Sequence, residues 1–132
     1  MRSITIRVPG MIPKELTPNT SWYTHWGTKH KAREQLKHDT FYACVDALII
    51  YSKTTGRNWE PLKKARVDYT FVVPDKRYVR DDDNQIAGCK FLVDTLQGDM
   101  GGIITDDKGL SIGSIKWEFG EPEIIIKVTE VE

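Results

Sequence analysis

Arg66-Val67-Asp68-Tyr69-Thr70-Phe71-Val72-Val73-Pro74 is the stretch on which the fold turns. Val67, Tyr69, Phe71 and Val73 fall on one side of an extended chain, with Asp68 and Thr70 on the other, which is the pattern of a strand with one buried face. Pro74 closes it, since proline has no N–H to offer a ladder. Working backward, residues 28–51 contain no glycine or proline. Leu36, Ala43, Ala47 and Ile50 recur there at combinations of three- and four-residue steps, predicting a long helix that ends at Thr54-Thr55-Gly56. Ahead of it, Ile4, Ile6 and Val8 alternate in a first strand over residues 3–8, and Gly10, Pro13 and Pro18 mark a loop that continues past Asn19. Working forward, Asp81-Asp82-Asp83-Asn84 is a helix-start sequence. Ile86, Cys89, Val93 and Leu96 follow at helical spacing, and Gly98, Gly101 and Gly102 stop the helix. Two strands, residues 110–119 and 124–131, then turn at Gly120-Glu121-Pro122. The order β-α-β-α-β-β predicts an α+β fold: a single domain over residues 1–132, with two main helices packed on one mixed β-sheet.

Lysine plus arginine number 19 and aspartate plus glutamate 19, so the net charge of 0 exerts no overall pull on a polyanion. The distribution is uneven. Between His25 and His38, Lys29, Lys31, Arg33 and Lys37 stand against Glu34 alone, and Lys63, Lys64, Arg66 and Lys76, Arg77, Arg80 form two further basic groups. The acids collect at Asp81 to Asp83, at Asp106-Asp107, and from Glu118 to Glu132. This suits a basic surface around an acidic pocket, although on charge alone a solvated surface of mixed charge is the simpler account. No apolar run approaches the roughly 18 residues needed to cross a bilayer. Met1-Arg2-Ser3-Ile4-Thr5-Ile6 alternates like a strand rather than a signal core, so a cytoplasmic protein without membrane contact is expected. Cys44 and Cys89, outside any CxxC spacing, are expected as two buried thiols.

The chemically suggestive residues are Asp81 and Asp83, then Asp94, then Asp106-Asp107. Asp81 and Asp83 stand two apart at a loop–helix junction, where extended geometry turns both carboxylates to one side. Asp106-Asp107 lies beyond the second helix, where a turn is expected to return it to that helix's start. Several carboxylates converging from separate segments suit magnesium. Crowded acids also repel one another unless a cation neutralises them. The plainer reading makes the aspartates before the helix caps and Asp106-Asp107-Lys108-Gly109 an ordinary turn. Other chemistries fail on detail. An EF-hand loop from Asp81 needs glycine where Ile86 stands and glutamate where Leu92 stands. His25, His30 and His38 lack a cysteine motif to complete a zinc site, and no GxxxxGK[ST] is present for nucleotide phosphates.

Arg80-Asp81-Asp82-Asp83-Asn84, then Lys90-x-x-x-Asp94-x-Leu96, then Gly98 and Asp106-Asp107, resembles the signature of the RusA family of Holliday junction resolvases. The first strand, the Pro-rich loop reaching Asn19 and the aromatic–basic run from Trp22 to Arg33 are similar to that family's opening strand, loop and basic first helix. The resemblance implies a homodimeric, magnesium-dependent endonuclease, with manganese as an alternative metal, that resolves four-way DNA junctions in recombination and repair. It implies Asp81, Asp83 and Asp107 as catalytic metal ligands, Asp106 as the adjacent candidate, and Lys90 as the catalytic lysine. Lys29, Lys31, Arg33, Lys76, Arg77 and Arg80 are then expected to hold the phosphate backbone of the branched DNA. Trp22, Tyr23 and Trp26 are either stacking platforms for splayed bases or core residues. One spacing departs from the family. Its lysine stands four residues after the second aspartate, where this chain has Ala87, whereas Lys90 stands seven after Asp83. Lys90 keeps the family's spacing to Asp94 and Leu96, which points to three inserted residues. Gly88, a poor interior helix residue by about 1 kcal/mol, predicts that the helix starts beside it with Lys90 turned to the aspartates. Two other functions share these residues: an inactive relative that binds junctions, and a nuclease of the same chemistry acting on other branched DNA or on RNA.

Overall fold

In the computed structural model, which describes residues 1–17 and 25–132, the stretch around Tyr69 is the strand β2, Ala65–Val73. Val67, Tyr69, Phe71 and Val73 are buried, and the residues between them face the other way. Among the described residues, four strands form one mixed sheet in the order β1–β4–β2–β3, with β1 at Ser3–Pro9, β3 at Leu110–Phe119 and β4 at Glu123–Glu130. β4 runs antiparallel to both β1 and β2, and β3 runs parallel to β2. The turn Gly120-Glu121-Pro122 therefore does not join neighbours. It carries the chain over the end of β2, where the Gly120 N–H donates to the Val73 carbonyl at 2.9 Å and the Gly10 N–H to the Pro122 carbonyl at 3.0 Å.

The helix α1, Trp26–Thr55, covers one face of the sheet. His25 Nδ1 accepts from the Gly27 N–H at 3.1 Å to cap its start, and Gly56, at φ 72°, takes the left-handed conformation that ends it. Leu36, Thr40, Ala43, Cys44 and Ala47 form its buried stripe. The small side chains at 43, 44 and 47 let the helix lie close on the strands. The Thr40 hydroxyl, buried with them, donates to the Leu36 carbonyl at 2.7 Å. Ile50, expected on this stripe, is instead 64% exposed. A three-residue step from Ala47 swings a side chain about 60° off the stripe, a four-residue step only about 40°. The stripe therefore continues to Tyr51, whose ring meets Trp59 edge-on at 5.0 Å. Cys44 and Cys89 are buried free thiols, as expected, and burial pushes both up to about 12.

The second helical segment starts at Asp82, as the run Asp81-Asp82-Asp83-Asn84 signals, and not beside Gly88 as the family spacing led one to expect. α2 covers Asp82–Gly88 and α3 covers Lys90–Thr95. At the joint, Cys89 stays right-handed, with φ −81° and ψ −3°. Its N–H reaches the Ile86 carbonyl at 3.0 Å, and the Val93 N–H takes the Cys89 carbonyl at 3.0 Å, so one tight turn separates two stretches of a single helical path. Gly88 serves closeness instead. It is buried, and a Cβ there would lie 2.7 Å from Ile12 Cγ2 and 3.2 Å from Thr17 Cγ2. After α3 the chain is tied to the foot of β2, where Trp59 Nε1 donates to the Ile103 carbonyl at 3.1 Å and the Thr105 N–H to the Leu62 carbonyl at 3.0 Å. No helix among the described residues is long and apolar enough to cross a membrane.

Gly88→Ala is expected to lower stability by about 1–2 kcal/mol, because the clash with Ile12 and Thr17 outweighs alanine's better helix propensity. Urea denaturation measures this. A midpoint at or above that of the wild type would remove the packing account of Gly88.

Candidate functional site

Asp81, Asp82 and Asp83 are consecutive and exposed, yet each does something different. Asp81 is the N-cap of α2: one of its carboxylate oxygens accepts from the Asn84 N–H at 3.1 Å. Asp82 accepts from Trp117 Nε1 at 3.1 Å, which clasps the helix start to β3. The Asp83 carboxylate has no hydrogen bond or ion pair among the described residues. Next to it the Asn84 side-chain oxygen is buried and without a partner. The plain capping role thus holds for Asp81, and Asp83 is left as a carboxylate with no structural task.

Asp106 and Asp107 do not join this group within one chain. Asp106 caps the short 3-10 turn Asp107–Gly109, accepting from the Lys108 N–H at 2.8 Å, and that turn leads directly into β3. Leu110 pairs with Ala65 at the start of β2, whereas Trp117, which holds Asp82, pairs with Phe71 near its end. Six β2 residues at about 3.3 Å each put these ends roughly 20 Å apart. The expected return of Asp106-Asp107 to the helix start fails for a topological reason. In a strand–helix–strand unit with parallel strands, the helix begins where the first strand ends and finishes where the next one begins. Asp94, partly exposed, lies on α3 toward that second end. Among the described residues, no three His, Cys, Asp or Glu side chains gather as a metal-ligand set.

Lys90 is exposed in the first turn of α3, without a side-chain partner among the described residues. The three extra residues before it are helical, so they carry it about 10 Å along the axis from Asp83 instead of looping it back. The six expected backbone contacts divide evenly. Lys29, Lys31 and Lys76 have no side-chain partner among the described residues. Arg33 lies over the Phe91 ring at 5.4 Å and meets His30 Nδ1 at 2.8 Å. Arg77 grips Asp75 through Nε at 3.0 Å and Nη2 at 2.8 Å, and those hydrogen bonds hold the Asp75 carboxyl at about 2. Arg80 is a clasp: Nη1 donates to the Ile12 carbonyl and to Gln85 Oε1, both at 3.0 Å, and burial lowers its pKa. Trp26 is 73% exposed and stacks on His30 at 5.0 Å. Pro18, Asn19, Trp22 and Tyr23 lie outside the described residues.

Two features escaped sequence reasoning. The Asp82–Trp117 clasp joins residues 35 apart, and no local pattern signals it. Asp68, on the outward side of β2, accepts from the Ser114 N–H at 2.7 Å, the Ser114 hydroxyl at 3.0 Å and Arg66 Nε at 3.3 Å. The Ser114 N–H is the main reason its carboxyl sits below the usual range. The charged side of the β2 alternation was the available signal. No protein-family model and no curated protein sequence matches this chain.

The division of roles has a direct test in stability. Asp81→Ala is expected to cost about 1 kcal/mol through the lost cap, and Asp83→Ala to stay within about 0.5 kcal/mol of wild type. If urea melts showed Asp83→Ala to be the more damaging of the two, Asp83 would have a structural task after all.

Proposed function

We propose that this chain is a magnesium-dependent, structure-selective endodeoxyribonuclease of the RusA type, resolving four-way DNA junctions. One observation carries the reading. An unpartnered, exposed Asp83 stands beside an Asp81 with one oxygen unused, within the ordered run from Arg80 to Asp107 that resembles the RusA signature. The donors fit a hard cation: they are carboxylate oxygens, with the unused Asn84 oxygen beside them. Asp81 and Asp83, with Asp107 and the adjacent Asp106 of a second copy, would hold magnesium, or manganese in its place, which would supply an activated water and charge neutralisation at the scissile phosphate. Lys90, about two helical turns beyond Asp83, is suited to meet the phosphate or the leaving oxygen rather than the ligand carboxylates. Lys29, Lys31 and Lys76, whose charges are uncompensated among the described residues, attract the backbone without reading sequence.

A second copy reconciles the two acidic groups with one site. β3 is an edge strand, and its Ile112 and Phe119 are 50% and 63% exposed. Two β3 edges approaching antiparallel about a two-fold axis bring Asp107 of each copy to the end where the other holds Asp81 and Asp83. That supports a homodimer with two composite sites, matching the approximate two-fold symmetry of a four-way junction. The competing reading is an inactive relative that binds junctions without cutting them. The exposed position of Lys90, three residues beyond Ala87, favours it.

Incubation with a labelled four-way junction and with linear duplex, each with magnesium or EDTA, separates the readings. Cleavage of the junction in magnesium alone is expected; binding without cleavage selects the inactive relative. Asp83→Asn should abolish cleavage and leave binding equal or tighter, since less negative charge meets the phosphates. Lys90→Ala should lower the cleavage rate by about 100-fold or more with little change in binding.

Mixing subunits tests the dimer. Asp83→Asn and Asp107→Asn chains, each inactive alone, are expected to regain nicking when mixed, because one composite site of the heterodimer is intact. A mixture with no activity, or a monomer by light scattering both free and on DNA, would rule out composite sites.

A further inference from the structure

The helices pack on one face of the sheet, and the other is left uncovered among the described residues. Thr5, Arg66, Thr70, Lys116 and Lys127 line a shallow depression of about 330 Å³ on that open face, around Asp68. Lys127 stands directly across the strand pair from Asp68, and Lys116 across from Thr70. Lys127 nevertheless forms no ion pair with Asp68. The carboxylate is turned the other way, toward Ser114 and Arg66. The cause is the bulge in β3: the register shifts opposite Asp68, and a Cβ at Gly113 would collide with the Asp68 carboxylate. Asp68 therefore fills the bulge and steadies Arg66 through Nε, leaving the outer guanidinium nitrogens unused. Lys116 and Lys127 have no counter-ion among the described residues. Three cations against one carboxylate, interspersed with threonine hydroxyls, give this face a positive centre on a chain whose formal charge is 0. Of the remaining acids, Glu118 and Glu123 lie in the row beside Val72, with Glu123 paired to Arg7 at 2.6 Å, while Glu130 and Glu132 line a neighbouring depression that shares Arg66, with Glu130 paired to Arg2 at 3.2 Å.

No aromatic ring stands in the depression. Tyr69 and Phe71 point into the core, and Trp117 packs on Phe71. Stacking on unpaired bases is therefore excluded here, and charge with hydroxyl hydrogen bonding remains. We propose that this open sheet face, centred on Arg66, Lys116 and Lys127, binds the phosphate backbone of a duplex DNA arm without reading its sequence. The proposal rests on the junction-cleaving function above and adds a contact surface separate from the aspartates.

The test is the Lys116→Ala/Lys127→Ala double variant, titrated by fluorescence anisotropy against labelled linear duplex, four-way junction and single-stranded DNA. The titrations are run in EDTA between about 50 and 200 mM salt. Removing two phosphate contacts should reduce the slope of log affinity against log salt by about 1.8. Duplex and junction affinity should fall at least fivefold, with an unchanged melting temperature. A Lys53→Ala/Lys63→Ala chain, which loses the same charge elsewhere, should bind like wild type. Unchanged slope and affinity in the first variant, an equal loss in the control, or a loss confined to single-stranded DNA would each overturn the proposal while leaving the nuclease function standing. Failure of the wild-type chain to bind any of these DNAs would overturn both.

Discussion

Parallel pairing of β3 with β2 is the constraint from which the rest of the molecule follows. Parallel neighbours cannot be joined by a tight turn, so the chain between them must travel the length of the sheet and return. Here the return is made by α2, α3 and the segment tied to Leu62 and Trp59. It fixes the ends of the sheet as two chemically distinct places, with Asp81 to Asp83 at one and Asp106-Asp107 at the other. The turn after β3 then steps over β2, which puts β4 in the interior of the sheet and leaves β3 as an outer strand. A hairpin between β3 and β4 would have kept the two acidic groups at opposite ends but left β3 inside the sheet.

At the helix start, neighbouring residues divide the work of holding structure and leaving charge available. Asp81, Asp82 and Arg80 are each engaged: with the helix N-terminus, with Trp117, and with the Ile12 carbonyl and Gln85. Their engagement fixes the backbone that presents Asp83. Three successive carboxylates are tolerable there because they are exposed to solvent and stand at the positive end of a helix. The same logic recurs on the outer face of the sheet, where Asp68 is used up by Ser114 and Arg66 and so leaves the lysines around it uncompensated.

What was legible in the sequence was whatever a local period encodes. The alternation of β2 named its buried face residue by residue, and the Leu36–Ala43–Ala47 pattern named most of the α1 stripe. Local signals failed where a residue had more than one physical use. Gly88 reads as a helix boundary when only propensity is weighed, yet its role is to admit Ile12 and Thr17. Ile50 has the right spacing from Ala47 on one side of the helical repeat and the wrong rotation for the core. The position of Asp107 depended on whether β3 runs parallel or antiparallel to β2, and no stretch of either strand states that. The Asp82–Trp117 clasp was invisible for the same reason, being a product of the crossover and not of either segment.

The insertion of β4 between β1 and β2 also bears on how the chain comes to be folded. Ser3 pairs with Thr129 and Ile6 with Ile126, so among the described residues β1 touches no strand but β4, more than a hundred residues further along. The Arg2–Glu130 ion pair at 3.2 Å belongs to the same late closure. Until β4 arrives, β1 and the inner edge of β2 are two separate unpaired borders, each lined by Ile or Val and Phe side chains awaiting cover. Contacts of such wide sequence separation are slow to form, because the loop must close before any pairing compensates for the lost freedom. The nascent protein thus carries β1 unpaired until β4 has been made, in the company of whatever else is present to meet an open edge.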